Sequence, residues 1–228
     1  MNKKLTLACM AVAALAVLAV GASTASATND PQLTTKAGVL VAPGTSNLLL
    51  TQVGTTGLLD TSGNVLVQCT SGTGAGSVIK NSGGTVEGEI TSLTIGGTGA
   101  KAPTEPGNEC TTSFGNVSVT PILPWCLRST PTMATDEMQI VSGKCGGAPG
   151  NVKFIMVSTT VGECEFEATG PIRADFTTSP SDAQATVRST QAGSGIKRIR
   201  GGFFCPSSAM LQGTRTIEDG SGNPLFVS

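Results

Sequence analysis

Apolar residues in this chain come in short runs, many alternating with polar residues, separated by Gly, Asn, Ser and Pro. Such alternation buries one face of an extended strand, and breaks of that composition make turns. The segments that fit are 39–41, 48–53, 65–70, 85–95, 117–120, 138–141, 152–159, 163–168, 172–177, 185–190, 211–218 and 225–227. Many are rich in Val, Ile, Thr and Phe, which suit a pleated, half-buried surface. After the first thirty residues no sustained helical stripe with caps is found, so the pattern predicts few helices. Many short strands with frequent turns predict an all-β fold, an antiparallel sandwich or barrel.

The first residues read differently. Asn2-Lys3-Lys4 is followed by an uncharged apolar stretch from Leu5 to Val20, and then by Ala25-Ser26-Ala27. This is the layout of a secretory signal peptide over residues 1–27, with a secreted all-β domain over 28–228. The apolar stretch is short for a membrane span. No Cys follows it to carry a lipid, and Leu123-Pro124-Trp125-Cys126 lacks the Thr-Gly of a sortase site. An extracytoplasmic location is expected, with no membrane span in the mature chain. The Pro-containing stretch 96–108 is a candidate subdomain break.

Beyond Cys9 the chain carries six cysteines: Cys69, Cys110, Cys126, Cys145, Cys164 and Cys205. An even number in an exported chain reads as three disulfides, with fifteen formal pairings. The spacings of 41, 19 and 41 residues suggest the sequential pairing Cys69–Cys110, Cys126–Cys145 and Cys164–Cys205. Metal ligation is the competing use, but the chain has no Cys-x-x-Cys and no histidine. Zinc is therefore not expected. No cofactor is implied, and calcium is the one cation that the carboxylates leave open.

Absence of histidine also removes the Ser-His-Asp and Cys-His nucleophile systems. Without the leader the net charge is −3, too small to imply nucleic acid. Three features remain as sites. Glu163, Glu165 and Glu167 alternate with Cys164 and Phe166, which puts three carboxylates on one strand face. They could bind a hard cation or hydrolyse a glycan, although a solvated outer face accounts for the same alternation. Glu87 and Glu89 repeat the pattern once. Lys197-Arg198-Ile199-Arg200 is the one basic cluster, suited to an anionic polymer or lipid headgroups, or simply to a charged edge strand or loop. Trp125, the sole tryptophan, reads best as core packing beside a disulfide.

Gly-Asn-Val occurs at 63–65, 115–117 and 150–152, and Asp219-Gly220-Ser221-Gly222-Asn223-Pro224 is a related connection. The unequal separations mark turn chemistry rather than a fixed repeat.

Leu123-Pro124-Trp125-Cys126-Leu127, Gly162-Glu163-Cys164, Gly170-Pro171-Ile172 and Cys205-Pro206-Ser207-Ser208 with Leu211-x-Gly213-Thr214 form a set of cysteine contexts. Taken together they resemble a group of exported six-cysteine β-rich proteins of high-GC Gram-positive bacteria. The resemblance runs from about Val65 to Ser228. That group has no assigned function, so it implies secretion and a disulfide framework and lends no site residues. The functional expectation is a non-enzymatic extracytoplasmic module for binding, adhesion or structure, with an envelope or extracellular partner. The alternative is a secreted, carboxylate-dependent glycan hydrolase.

Overall fold

The structure, a computed structural model, describes residues 30–96, 110–129, 137–176, 184–188 and 195–227. The signal-peptide segment 1–27 and residues 97–108 of the candidate subdomain break lie outside them.

The described chain is all β, with no helix among the described residues. In order the strands are β1 (Leu33–Thr35), β2 (Ser46–Leu59), β3 (Val65–Cys69), β4 (Thr73–Ser82), β5 (Thr85–Leu93) and β6 (Cys110–Thr112). There follow β7 (Gly115–Pro121), β8 (Trp125–Ser129), β9 (Glu137–Ser142), β10 (Lys153–Ser158) and β11 (Gly162–Ala168). The last are β12 (Ile172–Phe176), β13 (Gln184–Arg188), β14 (Ile196–Gly201), β15 (Ser208–Glu218) and β16 (Leu225–Val227).

Of the two expected architectures the barrel is the one formed. All ladders are antiparallel, and they close two circuits that share β2 and β15. The first circuit runs β2-β4-β5-β8-β9-β12-β13-β15 and back to β2. The second runs β2-β3-β6-β7-β10-β11-β14-β15. The N-terminal half of β2 pairs with β4 and its C-terminal half with β3, while its other edge stays on β15 throughout. Register shifts at Ser46/Leu48, Leu58/Leu59 and Gln212/Thr214 let the long ribbon turn from one barrel into the other. Closure removes the open edges that separate sheets would leave.

Two apolar cores follow from the two circuits. Leu50, Ile90, Met138, Ile172 and Ile217 belong to the first; Leu58, Val67, Val117, Met156 and Phe166 belong to the second. Leu211 on the shared β15 packs against both. Phe166 is fully buried and stacks on Phe154 with ring centroids 5.3 Å apart. Burying each such ring contributes roughly 1.5–3 kcal/mol. Strands on both sides of residues 96–108 enter both circuits, so a division there separates neither barrel from the other.

The three disulfides join Cys69 to Cys110, Cys126 to Cys145 and Cys164 to Cys205, the sequential pairing. Such bonds belong to an oxidising compartment. Cys69 and Cys110 are direct cross-strand partners on β3 and β6.

Several elements depart from the sequence expectation. The Gly-rich stretch 73–82 is strand β4, held between β2 and β5, because small residues let neighbouring backbones approach. Residues 125–129 form β8, and 39–41 make only the bridge Thr34↔Leu40. Trp125 is buried as expected, but in the first core, with its Nε1 donating to the Ile122 carbonyl at 2.8 Å.

Candidate functional site

On β11 the pleat puts Cys164 and Phe166 inside the second barrel and Glu163, Glu165 and Glu167 outside. The neighbouring strands answer them with cations. Glu167 lies opposite Lys153 on one side and Lys197 on the other, with Lys153 Nζ 3.9 Å from its Oε1. Glu165 lies opposite Arg200, and Arg200 Nη2 donates to Glu163 Oε1 at 2.8 Å. The acidic row and the basic cluster are thus one mixed-sign face. These pairs are exposed and each contributes little, about 0–1 kcal/mol. Glu87 and Glu89 sit on β5 in the first barrel, away from β11, and Glu89 Oε2 accepts from the Cys145 amide at 3.3 Å. Among the described residues no group of three or more His, Cys, Asp or Glu side chains is placed to hold a metal ion.

The basic cluster itself divides. A register shift between Glu165 and Phe166 leaves Ile199 unpaired on β14. Lys197 and Arg200 therefore face the glutamates, while Arg198 lies opposite the inward Phe166. From there Arg198 Nη1 donates to the carbonyl oxygens of Gly202 and Cys205, both at 2.7 Å. Arg198 holds a turn.

That turn is the feature the sequence analysis missed. The amide of Cys205 donates to the Gly202 carbonyl at 3.1 Å, closing a β-turn with Phe203 and Phe204 at its centre. Phe203 is 93% exposed and Phe204 68%, with ring centroids 5.8 Å apart in an edge-on arrangement. The Cys164–Cys205 disulfide fixes the far side of the turn to β11. Gly201 enters it at φ 131°, and a Cβ there would stand 2.9 Å from the Glu163 carbonyl and 3.1 Å from Cys164 Cα. Only glycine fits. Phe204 shares an apolar hollow of about 70 Å³ with exposed Phe114, at the β6–β7 hairpin tip, over Val65, Val117, Met156 and Val161. The signal available beforehand was Gly201-Gly202-Phe203-Phe204-Cys205-Pro206: an aromatic pair between turn formers cannot alternate into a strand.

Outward positions include the polar Thr51, Lys153, Glu165, Lys197 and Thr216 and the exposed apolar Leu49, Val65, Ile79 and Ile199. The inward ones are mostly apolar, with Thr56 and Arg215 as buried polar exceptions. No described helix is long and apolar enough to cross a membrane.

The chain matches no protein-family model, no curated protein and no solved structure.

Proposed function

We propose that this chain is an extracytoplasmic binding module, exported through residues 1–27, that docks on the lipid-rich surface of the cell envelope through its aromatic turn. The observation that carries the reading is the exposure of Phe203 and Phe204 on a turn held by a disulfide and by Arg198. Exposed aromatic rings cost solvation without adding to the core, and such patches mark interaction surfaces. A turn fixed before binding loses little conformational entropy on docking. Lys197 and Arg200 on the adjoining strand suit the headgroup level, where cationic side chains and aromatic rings meet a bilayer. The glycan hydrolase reading has less support, because Glu163, Glu165 and Glu167 share one flat strand face with cations opposite them.

Co-sedimentation of the purified protein with isolated envelope across a salt series tests the proposal. Retention that survives high salt, and is lost in a Phe203→Ser/Phe204→Ser double variant, is the expected result. Retention abolished by salt and unchanged by the double variant would instead assign the contact to the charged face.

A further inference from the structure

Among the described residues, the first barrel encloses a charge that meets no counter-charge. Arg215 projects inward from the shared strand β15, between Gly213 and Ile217, and is only 7% exposed. Its Nη1 has no hydrogen-bond partner, and no carboxylate among the described residues forms an ion pair with it. Burial lowers its pKa to about 10, which still leaves the guanidinium charged at neutral pH. A charge withdrawn from water without a counter-charge is among the costliest arrangements a core can hold. Two further groups beside it are in the same condition. Gln52 lies directly opposite Arg215 on β2, and its Oε1, an acceptor that lies outside the cavity lining, is buried without a partner. Thr56, also on β2 and 6% exposed, has an unpartnered Oγ1 close against Gly213.

Arg215 and Thr56 line a cavity of about 60 Å³ whose other walls are almost wholly apolar, including Leu50, Ile90, Trp125 and Ile217. A smaller void of about 30 Å³ adjoins it across Leu50 and Ile90, on the side of Leu48 and Met138. Another of about 30 Å³ adjoins it across Thr56 and Trp125, at the junction with the second barrel. The cation and the hydroxyl thus line a cavity flanked by two smaller apolar voids, one of them at the junction of the barrels.

We infer that the interior of the first barrel binds a short-chain aliphatic monocarboxylate, its carboxylate on Arg215 and Thr56 and its chain along Leu50, Ile90, Trp125 and Ile217. One negative charge neutralises the one cation among the described lining residues, and a carboxylate accepts from both the free Nη1 and the threonine hydroxyl. A phosphate dianion would bring a second charge for which the cavity holds no cation. The volume sets the length: at about 10–15 Å³ for each water-sized group, the cavity with the two voids beside it takes about eight to twelve such groups, enough for a six-carbon carboxylate and not for a long-chain fatty acid.

Trp125, the only tryptophan, lines the cavity and reports on its occupancy. The experiment titrates the purified protein, disulfides intact, with hexanoate, hexanol, hexylammonium and dodecanoate, following Trp125 fluorescence and binding heat. Hexanoate is expected to bind about tenfold or more tightly than hexanol, corresponding to one charge-assisted contact, with dodecanoate weaker and hexylammonium without effect. Arg215→Met keeps the volume and removes the charge; it should lose that preference while still taking hexanol. Thr56→Val, which leaves the charge in place, should weaken hexanoate by a smaller factor and serves if the Arg215 variant does not fold. Failure of hexanoate to bind at millimolar concentration, or hexanoate affinity unchanged in both variants, overturns the inference.

Discussion

Arg198 Nη1 donates to the carbonyl oxygen of Cys205 at 2.7 Å, so a strand residue holds the far end of the aromatic turn that follows it. The same nitrogen binds the Gly202 carbonyl at the near end. One terminal nitrogen thus spans the turn with both its hydrogens, in directions fixed by the guanidinium plane, whereas an ammonium's donors rotate freely. Arg198→Lys is expected to lose part of the turn's order and Arg198→Met most of it. Hydrogen exchange at the Cys205 amide should accelerate first, with a global loss of roughly 1.5 kcal/mol or less, because these bonds are partly solvated. Unchanged exchange at Cys205 in Arg198→Met would show the turn to be held by the disulfide alone.

The disulfides should differ in worth. Loop-closure entropy gives about 4 kcal/mol for a 41-residue loop and about 3 kcal/mol for one of 19. Paired Cys→Ser variants in urea unfolding should therefore rank Cys126–Cys145 as the least costly to remove. Loss of Cys164–Cys205 should in addition reduce envelope retention, since it frees Phe203 and Phe204. Equal retention in that variant would separate the turn's order from its function.

Asp60 and Asp219 anchor two turns built alike. Asp60 accepts from the Ser62 amide and from the amide and side chain of Asn64; Asp219 does the same with Ser221 and Asn223. These hydrogen bonds, those from the asparagine side chains foremost, hold both carboxyls below the usual 3.8. A carboxyl lowered in the folded state stabilises it fully above the unfolded value near 3.8. That stabilisation is lost as the pH falls through the lower folded value. Thermal melts from pH 7 to pH 2 should show this acid loss in the native protein and a weaker one in Asp60→Asn/Asp219→Asn. Parallel curves would remove these two residues from the acid response.

Gly213 lies at the register shift where the shared ribbon turns. A Cβ there would stand 2.6 Å from Thr56 Oγ1 and 3.1 Å from Thr56 Cβ. Gly213→Ala is expected to destabilise by about 1–3 kcal/mol through overpacking, measured by urea midpoint at constant slope. Gly202→Ala, with open space at its Cβ, is the control. No difference between the two would mean that the ribbon yields easily at Thr56.

The alternation along 163–168 and 172–177 made β11 and β12 readable, because period two survives wherever one face is buried and the other wet. The stretch 73–82 was unreadable for the opposite reason. Gly74 and Gly76 carry no side chain to alternate, and only the neighbouring backbones of β2 and β5 make that segment a strand. Glu163, Glu165 and Glu167 were placed correctly on one face, yet the cations beside them come from β10 and β14, a matter of ladder order. Arg215 did carry a local sign that the sequence analysis passed over: along 211–218 it shares a face with Leu211, Gly213 and Ile217, while Gln212, Thr214, Thr216 and Glu218 make the polar face. Only the ladder shows that no carboxylate among the described residues meets it there.

The sequence by itself determined the local terms: extended segments from periodicity, turns from Gly, Asn and Pro, and a three-disulfide framework from cysteine number and spacing. Those are set by residues close along the chain, where sterics and short loops decide. The tertiary structure alone decided that β2 and β15 serve two barrels at once, that Arg198 and Arg200 face opposite ways, and that Phe203 and Phe204 stand exposed. Each depends on which strands become neighbours, and that choice belongs to the burial and hydrogen bonding of the whole sheet.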